Sequence, residues 1–156
     1  MTTDSPFPGV FPHQHGDPRS LAERIRAQLR ERLQEAVEVA GLELMVELRR
    51  HRGRPAPETS SDADRREFEQ TVRDLLAHLR GALAATLDPA ERADLERAEA
   101  EAPEPDRLLT GQVMLARRLP DYWQRFEAHR LTYVQARLET ATPRSGWLAR
   151  LFAGQR

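Results

Sequence analysis

Apolar side chains recur along this chain at helical spacing. Leu21, Ile25, Leu29, Leu33 and Val37 fall at steps of four, and the stripe continues through Leu44 and Leu48. At 3.6 residues per turn, a strict four-residue step drifts by about 40° each time, so the stripe spirals and meets more than one neighbour. A second stripe, Phe68, Val72, Leu75, Leu76, Leu79, Leu83 and Leu87, is spaced mostly by three and four, as bundle and coiled-coil seams are. A third group, Leu108, Leu109, Val113, Met114, Leu115 and Leu119, leads into the segment 120–138. That segment gathers Tyr122, Trp123, Phe126 and Tyr133, and Trp123, Phe126, Val134 and Leu138 predict one broad apolar face.

Start and stop signals divide these stripes into helices. Asp17-Pro18 opens the first, with Ser20 and Glu23 as an alternative capping box. Gly53, after the cationic RRHR run, suits a left-handed cap that ends it. Ser60 or Ser61 caps a second helix reaching to about Leu87. Asp88-Pro89-Ala90-Glu91 starts a short third one, acidic throughout, with Leu95 as its main apolar side chain. Asp106 caps the next helix, which Pro120 either kinks or interrupts. Within the first helix, the stretch Val39–Val46 carries one charge, Glu43. It predicts burial on more than one side, with Gly41 permitting close approach of another helix.

The expected fold is therefore all-α: an elongated antiparallel bundle of three long helices, one short acidic helix and a short C-terminal amphipathic helix. Residues 1–17 form a flexible Pro-rich arm around PFPGVFP, residues 18–141 the bundle, and residues 142–156 a basic amphipathic segment.

Composition narrows the function classes. The chain has 156 residues, 39% hydrophobic and 31% charged, which suits exposed helices and an oligomer better than a thick core. Arginine supplies all 24 basic residues, interleaved with 25 acids, and the net charge of -1 argues against a dedicated nucleic-acid binder. With no cysteine there is neither a disulfide nor a thiolate metal site. The N-terminus lacks a basic start and apolar run, and no stretch approaches membrane-spanning length, so cytoplasmic residence is expected.

Chemical signatures are sparse. The motifs GxxxxGK[ST], GxGxxG, GxSxG and HExxH are absent, and no histidine sits three residues after a glutamate as di-iron bundles require. No catalytic residue, cofactor or metal ligand is assigned. Trp123, His129 and Tyr133 mark a candidate pocket, since His129 lies inside the aromatic segment. Arg49, Arg50, Arg52 and Arg54 form the densest basic run and a candidate anion site. The acidic stretch from Asp88 to Asp106 is expected to be a solvated face, or else to dock that basic run or the basic C-terminus.

The most function-like feature is the C-terminal segment. Trp147, Leu148, Leu151 and Phe152 share one face of a short helix, flanked by Arg144 and Arg150 with no acid after Glu139. Such a segment can fold back on the bundle, dock in a partner's groove, or contact a membrane peripherally through residues 144–153. The leading expectation is a non-enzymatic adaptor or assembly protein, a homo-oligomer that engages a protein partner through this segment. The alternatives are a DNA-associated regulatory protein using Arg49–Arg54 and Arg117-Arg118, and a small ligand binder or enzyme built around Trp123.

Overall fold

The computed structural model describes residues 18–141, and their regular structure is entirely helical. The arm assigned to 1–17 and the amphipathic segment 142–156 lie outside the described residues. Five α-helices follow in order: α1 (Pro18–His51), α2 (Asp62–Ala84), α3 (Pro89–Glu101), α4 (Arg107–Arg118) and α5 (Tyr122–Ala141), with a single 3₁₀ turn at Glu104–Asp106 before α4.

Local chemistry sets most of these boundaries. Gly53 adopts φ 63°, the left-handed conformation that costs an L side chain energy. The amide of Arg54 donates to the Arg49 carbonyl at 2.8 Å and that of Gly53 to Arg50 at 3.1 Å, the paired bonds of a Schellman end. Ser61 caps α2 by accepting the Asp64 amide at 3.3 Å. Asp88 and Glu91 complete a reciprocal capping box at α3, with bonds of 2.8 and 3.1 Å.

Two boundaries differ from expectation. α2 stops at Ala84, so Leu87 packs into the core from the turn that follows. Asp106 does not cap α4 with its side chain; its carboxylate is drawn 2.8 Å from Arg30 on α1 instead. At Pro120 the chain breaks rather than kinks. Leu119 leaves the helix in extended geometry, and α5 begins afresh at Tyr122. The expected third long helix is thus two helices.

α2 runs back along α1: Arg49 meets Asp64 and Glu67 at one level, while Gly41 lies against Val72 farther along. A Cβ on Gly41 would sit 2.7 Å from Val72 Cγ2, so only glycine allows this approach. α5 runs in the same direction as α1, with Trp123 beside Arg32 and Arg130 beside Glu43. The core joins Leu33, Val37 and Ala40 of α1 to Leu75, Leu79 and Leu83 of α2, Leu95 of α3, Leu109 and Leu115 of α4, and Tyr122 and Phe126 of α5. Inside it, the Tyr122 hydroxyl donates to Gln112 Oε1 at 2.6 Å, satisfying a polar group carried in by an aromatic ring. Burial also raises the pKa of Tyr122, which keeps its proton as a donor.

The start of α1 stands apart from this core. Every residue from Leu21 to Gln28 is exposed, including Leu21 at 52% and Ile25 at 56%. The first α1 stripe is therefore buried only from Leu33 onward.

Candidate functional site

The basic run is largely consumed by the fold. Arg49 is 3% exposed, and its guanidinium donates to Asp64 Oδ1 at 2.7 Å and Glu67 Oε2 at 2.6 Å. Those bonds hold its pKa further above an already high value, Asp64 contributing most, and hold both carboxylates below their usual range. Arg54 also reaches Glu67, at 3.5 Å, and Arg50 pairs with Glu47 at 2.6 Å. Arg52 is exposed and makes no ion pair among the described residues. The candidate anion site of Arg49, Arg50, Arg52 and Arg54 thus does not present four outward charges, because α2 brings Asp64 and Glu67 against it. Arg118 is likewise engaged, with Asp94 at 3.1 Å and Glu91 at 3.8 Å.

Among the described residues the acidic stretch does not dock the basic run at 49–54; the basic C-terminus, its other expected partner, lies outside the described residues. Its carboxylates take other arginines: Glu99 holds Arg80 at 2.9 Å, Asp94 and Glu91 hold Arg118, and Asp106 holds Arg30. Leu95, 1% exposed, pins α3 to the core, and Glu99 packs over Gly111 of α4. Most of the stretch is nonetheless exposed, Asp88, Glu96, Glu101 and Glu104 included, as expected of a solvated face, while Glu91, Asp94, Glu99 and Asp106 tie it to the bundle.

The candidate pocket divides in two. Trp123 faces α1, where Arg32 lies 4.6 Å over its ring in a cation–π contact. Tyr133 faces α2 and stacks on His78, with ring centroids 4.6 Å apart. His129 lies on that side as well, and its charge adds to desolvation, the larger cause, in lowering the pKa of His78. The cavity beside Trp123 is lined by neither His129 nor Tyr133. The contact between His78 and Tyr133 spans 55 positions and has no local signature in the sequence.

What the fold does assemble is a groove along the α1–α5 seam. Its first part is a cavity of about 410 Å³ lined by Arg32, Val39, Glu43, Trp123, Phe126 and Arg130, among others. Its second, of about 420 Å³, is lined by Leu42, Glu43, Leu44, Val46, Glu47, Arg130 and Val134. Arg130 separates the two by reaching Glu43 at 3.3 Å and bonding Glu127 on its own helix. That bond lowers the pKa of Glu127 and raises that of Arg130.

The groove corrects the reading of Val39–Val46. Leu44 and Met45 are each 1% exposed, but Val39, Leu42 and Val46 are 53%, 46% and 37% exposed. These three recur at i, i+3 and i+7, a second helix face that was present in the sequence and hidden by the overall apolarity of the stretch.

Among the described residues no group of three or more histidines and acids converges as a metal-binding set. No described helix is long and apolar enough to cross a membrane. No protein-family model matches the chain, no curated protein matches it, and no solved structure matches it. Among the described residues, fold and surface define an all-helical bundle with an apolar groove along one seam and an exposed start to its first helix.

Proposed function

We propose that this chain is a non-enzymatic helical adaptor, resident in the cytoplasm, whose elongated antiparallel bundle self-associates and engages a protein partner through residues 142–156. The observation that supports the reading is the start of α1, where every residue from Leu21 to Gln28 is exposed. A solvated helix shorter than about 12–15 residues is marginal by itself, yet this one extends beyond its core with Leu21 and Ile25 exposed. Packing that end against a second copy would continue the buried Leu33–Val37 stripe between chains. The remaining leucine stripes are occupied within the chain, since Leu75, Leu79 and Leu83 have no exposed surface. Self-association therefore falls to the α1 end.

Light-scattering mass against concentration tests this. The expected result is a multiple of 17.8 kDa that falls to the monomer in a Leu21→Glu, Ile25→Glu variant with unchanged helicity. A parent chain that stays monomeric at high concentration contradicts self-association. For the partner, crosslinked recovery from the source cells should be lost in Trp147→Ala, Leu151→Ala; undiminished recovery removes residues 142–156 from the docking role.

A further inference from the structure

We propose that the α1–α5 groove is the resting seat of the chain's own segment 142–156, inserted through Trp147, Leu148, Leu151 and Phe152. The inference rests on the reading of that segment as the docking element and gives it an intramolecular site that a partner must displace.

Three observations favour this occupant. The first is reach. α5 runs alongside α1 and is described as far as Ala141, seven residues beyond Val134 in the groove wall. Seven helical residues rise about 10 Å. The five residues 142–146, extended, span about 17 Å, so Trp147 can return to the level of Leu42 and Val46. The second is apolar fit. The groove offers Val39, Leu42 and Val46 exposed in a row, and the segment offers four apolar side chains at i, i+1, i+4 and i+5, the spacing of one face were it helical. The third is charge. The two cavities are lined by Glu35, Glu43, Glu47 and Glu127 against Arg32 and Arg130 only. Segment 142–156 brings Arg144, Arg150 and Arg156 and no acid. A basic amphipathic helix in an acid-rimmed apolar groove is a recurrent recognition mode, and here the tether raises its effective concentration.

The chain has no cysteine and two tryptophans, so the contact can be read directly. A nitroxide spin label is placed on the full chain at Val46→Cys, or at Leu42→Cys should the first perturb folding. A control label is placed at Glu96→Cys, an exposed position on α3. The indole N–H signal of Trp147, assigned by its loss in Trp147→Phe, is then recorded by NMR. The expected result is severalfold broadening by the groove label and none by the control, with Leu42→Glu in the Val46→Cys chain restoring the sharp signal. A Trp147 signal equally sharp with both labels overturns the proposal. So does equal broadening of isotope-enriched chain that carries no label when it is mixed with spin-labelled chain, which assigns the groove to another copy. No partner is needed for this readout, so its failure leaves the adaptor reading standing, and loss of the adaptor reading leaves the groove contact measurable.

Discussion

The two seams of α1 are built on opposite plans. Against α2, glycine at 41 lets the backbones close until Val72 fills the space, leucines from both helices are buried completely, and Arg49 is clamped by two carboxylates. Against α5, Trp123 and Phe126 fill one end, and beyond them Arg130 and Val134 line an open groove with exposed valine and leucine beside it. One helix thus carries a closed face and an open one. The smallest residue sits at the closed crossing, and the largest rings, Trp123 and Phe126, line a cavity at the open one.

The largest expected effect distinguishes the seams by deletion. Leu79→Ala, at a site with no exposed surface, should lower unfolding free energy by about 2–5 kcal/mol in urea melts. Leu42→Ala should change it far less, within about 1 kcal/mol. Equal losses would show that the α1–α5 seam is packed as tightly as the other.

Gly41→Ala sharpens the same contrast. Alanine gains about 1 kcal/mol in helix propensity, but its Cβ would meet Val72 Cγ2 at 2.7 Å, on a β-branched side chain with little freedom to turn. Overpacking should win, giving a net loss of about 1–2 kcal/mol. Adding Val72→Ala should recover part of the strain. A Gly41→Ala chain more stable than the parent would contradict the close approach.

Acid should open the closed seam first. Asp64 and Glu67 have depressed pKa values in the fold, so their contribution is complete above the ordinary carboxylate range and is lost as pH falls through the depressed values. Arg49→Gln should lower Tm at neutral pH and flatten its fall below about pH 4.5. An unchanged acid profile would mean that the clamp is not what acid breaks.

The smallest expected effect lies on the α2–α5 side. The pKa of His78 is lowered below 6.5 by desolvation and by His129, so the folded state disfavours the charged ring. Stability from this source is intact above pH 6.5 and declines as pH falls towards the lowered value. His78→Phe should keep a ring against Tyr133 and remove a slight loss of Tm between neutral and mildly acid pH. A steeper loss in the variant would reverse the sign of the coupling.

The difference between local and distant codes explains what was legible. Gly53, Ser61 and the Asp88–Glu91 box act on partners within a few residues, so their spacing announced them. Gly41 was readable as a close approach because glycine has few other reasons to sit in an apolar helix face. Asp106 and Arg49 misled because their true partners, Arg30 for one and Asp64 and Glu67 for the other, are chosen by packing of separate helices. A charge on a sequence shows its sign but not its company. The groove was hidden for a related reason: hydrophobicity at Val39, Leu42 and Val46 signals a tendency to be covered, while the cover itself depends on how far α5 stands away. The Trp123 and His129–Tyr133 groups are close in sequence yet face different helices, since neighbours on a helix diverge by about 100° per residue.

The most direct measurement of the open seam is a double-mutant cycle in the full chain, pairing Leu42→Glu, Val46→Glu with Trp147→Ala, Leu151→Ala and reading unfolding free energy in urea. If residues 142–156 rest in the groove, each pair alone should destabilise the chain, and the two together should cost no more than the larger single effect, a coupling of about 1 kcal/mol or more. Strict additivity would contradict that seat and leave the α1–α5 groove empty of its own chain.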